Sequence, residues 1–359
     1  MNNDEVAQVK NLGRYQLNSF VIRWELTRFC NYSCDFCVQG SHESHLKAFQ
    51  SESGERRKMI AASIARYIER FIPASKIVEI SLIGGEITAL PDFKDSLAEI
   101  VNCIFRGIII IRITTNFSRP SRYFSDLFEL FHGRSDRALF VSASFYRRYT
   151  APGAFGKKLR ALFEETDKPV KRYFRLRQRL LSFIPGRKPF FKNWQNVFIS
   201  VGWPILDDDS YQDFRQFQKD YGRYARQVFP IIIRNYPVAL SDSIRAALKT
   251  NGASGSPAGN SLEVKLADGR KMYFSNMQNL GNHISDAGKF CPYGYLCDAG
   301  CNSMSIAPDG RVLRCPTIDA PDDFYLGNIT DDSFRLLDKS AVCHSGHCSC
   351  NSFKTIRKK

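Results

Sequence analysis

The amino-acid sequence predicts an α/β protein with a parallel sheet, followed by a small cysteine-rich region of β-hairpins. Three observations lead to this prediction. Six short runs rich in β-branched residues alternate with longer amphipathic stretches. Near the end of the chain, two Asp-Gly pairs lie between apolar runs, which is the usual hairpin signal. The cysteines form one cluster near the start of the sequence and a second near its end.

The six predicted strands cover residues 21–26, 77–83, 108–114, 138–144, 196–202 and 227–233. Helical patterns such as MIAASIARYIERF and YQDFRQFQKDYGRY lie between them. Repeated β-then-α units imply a parallel sheet with right-handed crossovers. Six units suit either a doubly wound sheet or an incomplete barrel, and periodicity does not choose between the two. In both folds, ligands bind beyond the carboxyl ends of the strands.

Length and composition describe an ordinary globular protein. With 359 residues and 43% hydrophobic content, the chain can bury a full core. The first twenty residues lack the apolar core of a signal peptide, and no uncharged run could span a bilayer, so we expect a cytoplasmic protein. Eleven cysteines in that compartment indicate metal or redox chemistry rather than disulfides. Cys103, alone in an apolar helical pattern, is expected to be a small buried hydrophobe.

Composition also predicts how the chain is divided. Residues 1–20 form an N-terminal extension, and residues 21–250 form the α/β domain, which carries a basic insertion at about 151–195. A stretch rich in Gly, Ser and Ala predicts a linker at 251–262. The C-terminal domain, 263–359, contains the hairpin segments LEVKLADGRKMYFS and SMSIAPDGRVLRC.

Polar motifs follow the first four predicted strands. CNYSCDFC, with Cys30, Cys34 and Cys37, comes after the first; GGE at 84–86, TTN at 114–116 and SAS at 142–144 come after the next three. One such motif alone is an ordinary strand end, but together they should converge on one rim. Three thiolates cannot close a tetrahedral zinc site by themselves. A cubic four-iron cluster held by three thiolates keeps one iron open for a ligand.

The cysteine spacing and the GGE motif resemble the radical S-adenosylmethionine (radical SAM) superfamily over roughly residues 20–235. The resemblance implies a partial (β/α)6 TIM-like barrel, with a [4Fe–4S] cluster held by Cys30, Cys34 and Cys37. Its open iron would bind the amino and carboxylate groups of S-adenosylmethionine. An electron from a reductant such as flavodoxin or ferredoxin would then cleave that cofactor to a 5′-deoxyadenosyl radical.

The same resemblance implies a set of residues around S-adenosylmethionine. They are Phe36, Gly84, Gly85, Glu86, Asn116 and Ser144. The glycines would let the backbone approach the methionine portion, and a carboxylate or carbonyl there would accept from its ammonium. Ile87 stands where the family usually has proline. Asn116 and Ser144 lie where family members contact the ribose and the carboxylate.

The second cysteine cluster resembles the SPASM and twitch extensions of radical enzymes. The pattern is C-x5-C, then C-x12-G-x4-C around a hairpin, followed by LGNI at 326–329. The resemblance implies at least one auxiliary [4Fe–4S] cluster. Its expected ligands are Cys291, Cys297, Cys315 and one of Cys343, Cys348 or Cys350, with Cys301 as a further candidate. Seven cysteines are one short of two full clusters, so we expect one, although His344 or His347 could complete a second. A zinc ribbon is the alternative for these cysteines.

Positive charge is concentrated in the predicted insertion. The formal net charge is +15, and residues 157–192 hold twelve Lys and Arg against three Asp and Glu, a local charge of +9. Arg172, Arg175, Arg177 and Arg179 surround an apolar stripe in one helical pattern. Such a helix could recognise an acidic substrate, lie on an anionic membrane surface, or be a solvated insertion.

Two classes of function agree with these features. The first is a radical SAM enzyme that oxidises, epimerises or rearranges a small, possibly acidic sugar- or nucleotide-like molecule. A peptide-maturing SPASM enzyme, which forms a thioether or carbon–carbon crosslink or oxidises a residue, is its alternative. The short segment before the first strand leaves no room for a fused peptide-recognition domain, which favours a small molecule. The second class is a non-catalytic zinc-ribbon protein that binds nucleic acid; it explains the charge but not GGE, so we do not expect a nucleic-acid partner.

Overall fold

The computed structural model describes most of the α/β region and part of the C-terminal region. The described residues are 19–35, 37, 53–134, 136–167, 197–225, 227–232, 241, 261–265, 271–275, 296–315, 324–331 and 333–343.

All six predicted strands are confirmed, and each end lies within three residues of its predicted position. The strands are β1 (Ser19–Thr27), β2 (Ile77–Gly84), β3 (Ile108–Thr115), β4 (Arg137–Ser144), β5 (Val197–Ile205) and β6 (Gln227–Ile232). The helices between them, as far as they are described, are α1 (Gly54–Phe71), α2 (Phe93–Val101), α3 (Ser121–Phe128), α4 (Pro152–Asp167) and α5 (Asp208–Tyr221).

The helices form where apolar spacing and capping residues favour them. In α1, Ile60, Ile64 and Ile68 recur at four-residue intervals and are fully buried. At the start of α5, the Asp207 side chain accepts a hydrogen bond of 2.7 Å from the backbone N–H of Ser210, completing a capping box. These features turn one apolar face of each helix toward the sheet.

The strand order decides between the two folds that the sequence left open. One sheet has the order β12-β11-β10-β1-β2-β3-β4-β5-β6, in which β10, β11 and β12 are Ser303–Ile306, Arg311–Leu313 and Tyr325–Asn328. Strands β1 to β6 are parallel and follow chain order. A doubly wound sheet reverses its order near the middle. Sequential winding instead places the helices on one face, as in an open barrel.

The two faces of the sheet are packed differently. In β4, Leu139, Val141 and Ala143 are buried in the main core with the helices. The alternate residue Phe140 belongs to a smaller apolar cluster, in which it stacks on Phe198 with 4.6 Å between ring centroids. The face without helices therefore carries only a small apolar cluster, and polar residues lie nearer the carboxyl ends of the strands.

The C-terminal region adds strands to the barrel sheet. Both predicted Asp-Gly hairpins are confirmed: β7 (Ser261–Lys265) pairs with β8 (Lys271–Ser275), and β10 pairs with β11, each pair antiparallel. Strand β10 also pairs with β1 in parallel, with Val21 opposite Ser303. Two short strands, β9 (Leu296–Cys297) and β13 (Ala341–Val342), form a separate antiparallel pair. The helix predicted in SDSIRAALKT, most of the predicted linker and the arginine-rich part of the insertion lie outside the described residues.

Candidate active site and cysteine centres

The loop after β1 brings three thiols together at the carboxyl ends of the strands. Cys30, Cys34 and Cys37 are each partly buried, and the backbone N–H of Cys37 donates to the Cys34 carbonyl at 3.0 Å. Burial, and then the nearby negative charges, raise the pKa of Cys30 to about 11 and that of Cys34 to about 12. The backbone N–H of Tyr32 donates to Cys30 Sγ at 3.4 Å, as is suitable for a sulfur ligand.

A segment after β4 supports the cysteine loop. Tyr32 stacks on Tyr149 with 4.0 Å between ring centroids and 12° between planes, and the Tyr149 hydroxyl accepts from the backbone N–H of Ser33 at 2.6 Å. Asp35, next to Cys34 in the sequence, accepts from Arg148 at 2.8 Å and from the Tyr146 hydroxyl at 3.2 Å. The loop thus has fixed partners on another strand end.

The two glycines of GGE allow β2 to approach that same loop. A Cβ atom on Gly84 would lie 2.4 Å from the Thr27 carbonyl oxygen, and one on Gly85 would lie 2.0 Å from the Phe29 carbonyl oxygen. The backbone N–H groups of Gly85 and Glu86 donate to these two carbonyls at 3.0 and 2.7 Å. Only glycine fits such a close backbone contact, so these residues tie the end of β2 to the residue that precedes Cys30.

Glu86 is fully buried, and its carboxylate is bonded within the rim. One oxygen accepts from the Thr88 N–H at 3.0 Å, the Thr88 hydroxyl at 2.5 Å and the Thr115 hydroxyl at 2.7 Å. The other oxygen accepts from the Asn116 backbone N–H. Burial raises the pKa of Glu86, while these donors act in the opposite direction. The carboxylate therefore connects the loops after β2 and β3.

The loop after β3 is also connected to the cysteine loop. The Asn116 side-chain amide donates to the Asn31 side-chain oxygen at 2.8 Å, and the Asn31 amide donates to the Ser118 hydroxyl at 3.1 Å. Phe117, buried between these residues, has a φ of 57°, a strained value for a bulky residue. Lys158 of α4 holds this turn, because its Nζ donates to the Phe117 and Ser118 carbonyls at 2.7 and 3.1 Å.

The concave face below this rim carries unpaired hydroxyls. Thr114 on β3 lies opposite Ser142 on β4, which lies opposite Ser200 on β5. Within the described part of the chain, none of these three hydroxyls, nor that of Ser144 at the end of β4, has a hydrogen-bond partner. One pleat deeper, Arg112 pairs with Glu79 at 3.3 Å. The face could thus receive a polar molecule.

In the C-terminal region, four of the seven predicted cysteines are described. Cys297 and Cys343 pack in one small buried cluster, because β9 and β13 pair at that point. Cys315, two residues after β11, is buried, and Cys301 is partly buried. The backbone N–H of Ala299 donates to Cys297 Sγ at 3.4 Å. Cys291, Cys348 and Cys350 lie outside the described residues, as do Phe36, His344 and His347.

Both groups of cysteines agree chemically with cluster binding, because each contains partly or fully buried thiols and a backbone N–H aimed at sulfur. Among the side chains that the structure describes, no three Cys, His, Asp or Glu residues form a site for a single metal ion. Cys103 is buried in the apolar core, as predicted.

Two sequence-family models match the chain. That of the radical SAM superfamily covers residues 24–143, and that of the SPASM iron–sulfur cluster-binding domain covers residues 297–352. The chain is a radical SAM enzyme with a SPASM domain. Enzymes of this superfamily use a [4Fe–4S] cluster, S-adenosylmethionine and a reductant, and the SPASM domain binds auxiliary iron–sulfur clusters. These matches contradict the alternative of a non-catalytic zinc-ribbon protein.

Solved structures similar to this radical SAM enzyme are distant in sequence. The structure of anSMEcpe with bound AdoMet is 15% identical over 88% of this chain and 76% of anSMEcpe, with a TM-score of 0.46. SuiB of Streptococcus suis bound to S-adenosylmethionine is 11% identical over 92% and 68%, also with 0.46. BtrN in complex with AdoMet and 2-DOIA is 14% identical over 88% and 80%, with 0.34. No curated protein matches the chain.

The other predictions from the sequence have different outcomes. Within the described residues, no helix is both long and apolar enough to cross a membrane. Contact with an anionic membrane surface stays a prediction, since the arginines concerned are not described.

The residues that the sequence analysis missed are those that form hydrogen bonds with the predicted motifs or with the residues that follow them. They are Asn31, Asp35, Tyr146, Arg148, Tyr149 and Lys158. Only Asn31 and Asp35 had a local signal, because they lie inside CNYSCDFC.

Proposed function

We propose that Cys30, Cys34 and Cys37 hold the [4Fe–4S] cluster of this radical SAM enzyme. The observation that supports this assignment is the gathering of three thiols on one loop whose neighbours fix it to the ends of β2, β3 and β4. When bound, the cluster and S-adenosylmethionine supply a 5′-deoxyadenosyl radical, which abstracts hydrogen from the substrate. The residues of the chain bind, orient and shield these groups.

The remaining predicted residues are proposed to line the S-adenosylmethionine site. The Ser144 hydroxyl, at the rim, is available to the ribose or carboxylate, and the Asn116 side chain lies on the same rim. The Glu86 carboxylate is already surrounded by four donors. We therefore assign Glu86 to holding the rim, and the backbone carbonyls of the GGE turn to accepting from the ammonium. Phe36 lies outside the described residues, and its position beside the adenine stays a prediction.

The proposed substrate is a small polar molecule, such as a sugar or nucleotide derivative, that carries hydroxyl or acidic groups. Support comes from the concave face, where Thr114, Ser142 and Ser200 form a row of hydroxyls that lack partners among the described residues. Arg112 lies one pleat below, with its guanidinium 5.0 Å from the centre of the Phe140 ring. The arginines of the insertion, at about 151–195, are proposed to recognise acidic groups because this segment leaves the rim after β4.

The C-terminal domain, proposed to span 263–359, is assigned one auxiliary [4Fe–4S] cluster. Of its proposed ligands, Cys297, Cys315 and Cys343 are described, and all three are buried. Cys291 is the proposed fourth ligand. The packing of Cys297 against Cys343 supports Cys343 over Cys348 and Cys350 as the ligand from the end of the chain.

Anaerobic reconstitution tests the cluster assignment. Wild type given dithionite should release 5′-deoxyadenosine and bind about eight irons, as expected for two four-iron clusters. Replacing Cys30, Cys34 and Cys37 together by Ala should abolish the release and leave about four irons. Cys103→Ala is the matched control, since Cys103 is buried away from both cysteine groups, and it should behave as wild type. Unchanged release from the triple variant would disprove the assignment.

A second experiment tests the substrate class. Fractions of phosphorylated sugars, nucleotides and short peptides are added to the enzyme, and stimulation of 5′-deoxyadenosine release above the uncoupled rate is measured. We expect the first two to stimulate, and Thr114→Val with Ser142→Ala to remove the stimulation while sparing the uncoupled rate. Ser121→Ala is the control, because this hydroxyl lies at the start of α3 and contacts Glu165. Stimulation by peptides alone would instead support a peptide-maturing enzyme.

A further inference from the structure

Arg314 is a buried cation in the SPASM domain. It follows the last residue of β11, directly precedes Cys315, and is 4% exposed. A charged side chain in such a place requires strong compensation, because burial removes its hydration. The contacts of the guanidinium should therefore reveal which groups compensate its charge.

The described contacts of Arg314 are neutral. Its terminal nitrogen donates to the carbonyls of Ala341 and Val342 at 3.4 and 3.2 Å, and its guanidinium carbon lies 4.7 Å from the centre of the Phe324 ring. Within the described part of the chain, no carboxylate forms an ion pair with it, and its buried Nε has no hydrogen-bond partner. The Asp298 carboxylate accepts from the Ser340 hydroxyl.

The backbone segments that Arg314 belongs to and contacts carry cysteines. Cys315 is the next residue, and Cys343 directly follows the carbonyl of Val342 that Arg314 holds. The positive charge of Arg314 also opposes the rise in the pKa of Cys301, which burial causes. Cys297 packs against Cys343. Arg314 is thus adjacent to Cys315 and bonded to the backbone that leads into Cys343.

A four-iron cluster bound at this site would supply the missing negative charge. Four thiolates around a [4Fe–4S] core in its oxidised, doubly positive state leave a net charge of minus two, and sulfur atoms of the cluster accept hydrogen bonds. A guanidinium beside that charge would stabilise the reduced cluster, which carries one more negative charge. Reduction potentials of such clusters depend on local charge and on hydrogen bonds to sulfur.

We propose that Arg314 is the buried counter-cation of the SPASM cluster, donates its Nε–H to a cluster or cysteine sulfur, and raises the reduction potential of that cluster. It is a positioning residue that also joins β13 to β11 through the two carbonyls. This inference rests on the proposed C-terminal ligands Cys297, Cys315 and Cys343. It makes the auxiliary cluster an electron acceptor that is easier to reduce than its thiolates alone would allow.

Redox titration of the full-length reconstituted protein, followed by EPR, tests the proposal. Arg314→Gln removes the charge. Arg314→Lys keeps the charge but lacks the planar guanidinium group and its Nε–H donor. Arg311→Gln, in the preceding strand β11 but exposed and paired with Asp309, is the matched control. For Arg314→Gln we expect the reduced-to-oxidised ratio of the C-terminal cluster at fixed potential to fall about tenfold, which is about 59 mV for one electron. Arg314→Lys should shift less, and Arg311→Gln should not shift.

The possible outcomes distinguish a failure of the proposed role of Arg314 from a failure of the proposed cysteine ligands. If wild type lacks a second cluster, the proposed C-terminal ligands are wrong, and the inference fails with them. If the Gln variant holds full iron at the wild-type potential, the ligands stand and the role of Arg314 is overturned. That role is also overturned if both clusters shift equally, since the effect would then be global. If Arg314→Gln loses iron, the fully loaded Lys variant decides: a lower potential supports the contact, and an unchanged one contradicts it.

Discussion

The hydroxyl of Tyr149 accepts a hydrogen bond from the backbone N–H of Ser33 across 2.6 Å, although 116 residues separate them in the sequence. Ser33 lies between the proposed iron ligands Cys30 and Cys34. A side chain that follows β4 therefore holds the middle of the cysteine loop, and its ring stacks on Tyr32. The cysteine spacing alone does not fix the loop; its geometry also depends on this distant strand end.

Replacing Tyr149 by Phe should weaken the hold on iron while preserving the fold. The stacked ring remains, but the Ser33 N–H loses its acceptor, which costs about 1 kcal/mol. We expect iron to be lost to a chelator about fivefold faster, as measured by absorbance during anaerobic chelation. Tyr325→Phe, at an exposed tyrosine in β12, serves as the control. Equal rates in both variants would contradict a supporting role for Tyr149.

Gly85→Ala should prevent assembly of the first cluster. The added methyl group would lie 2.0 Å from the Phe29 carbonyl oxygen, so β2 and the cysteine loop must separate. We expect 5′-deoxyadenosine release to be lost and iron to fall by about four per chain. Gly153→Ala is the matched control, because a Cβ there meets no atom within 4 Å. Full iron binding by Gly85→Ala would show that the contact can relax.

The buried carboxyl of Glu86 should make the stability of the apo-protein depend on pH. Burial raises its pKa above the ordinary value of 4.5, so the folded state holds this proton more strongly than the unfolded state does. The contribution to stability is therefore fully present below pH 4.5 and is lost as pH rises through the folded pKa. In urea unfolding, the free energy of unfolding of wild type relative to that of Glu86→Gln should decline as pH rises from 4.5 through the folded pKa.

Two further observations make this test specific. Glu55→Gln should show no such trend, because Glu55 is exposed at the start of α1. A pH-independent difference between wild type and Glu86→Gln would show that the pKa of this carboxyl is not raised.

Lys158→Met should loosen the loop after β3 and weaken S-adenosylmethionine binding. Lys158 holds the carbonyls of Phe117 and Ser118 in a turn whose φ of 57° is costly for phenylalanine. Losing these charge-assisted bonds, each of about 1.5 to 3 kcal/mol, should reduce affinity about tenfold in calorimetry. Iron content should not change. The exposed neighbour Lys157→Met should bind as wild type does, and equal affinities in the two variants would disprove the prediction.

The sequence allowed the α/β architecture to be predicted because each strand has its own local signal. The isoleucine run of β3 and the alternation in β4 are evident without knowing any neighbour. Strand order is different, since it depends on which edges meet. The sequential order of β1 to β6, and therefore the barrel rather than a doubly wound sheet, came only from the motif resemblance and then from the structure.

For the candidate site too, the sequence identified some residues but not the contacts that give them their roles. Gly84, Gly85 and Glu86 could be singled out because they follow a strand and form a known pattern. Their physical roles could not, because the close approach of Gly85 to Phe29 and the four donors around Glu86 come from other loops. Lys158 looked like one of many basic residues in a charged segment. Nothing local indicates that its amine faces the Phe117 carbonyl.

The pairing of β1 with β10 has a consequence for biosynthesis. Ser303, the partner of Val21, lies 282 residues further along the chain (303 − 21) and therefore leaves the ribosome much later. At 5 to 20 residues per second, one edge of β1 stays without its native neighbour for tens of seconds. An uncovered edge of an apolar strand recruits other strands. A nascent chain stalled before residue 303 would therefore expose the strand that carries the cysteine loop, so complete synthesis protects this enzyme against aggregation.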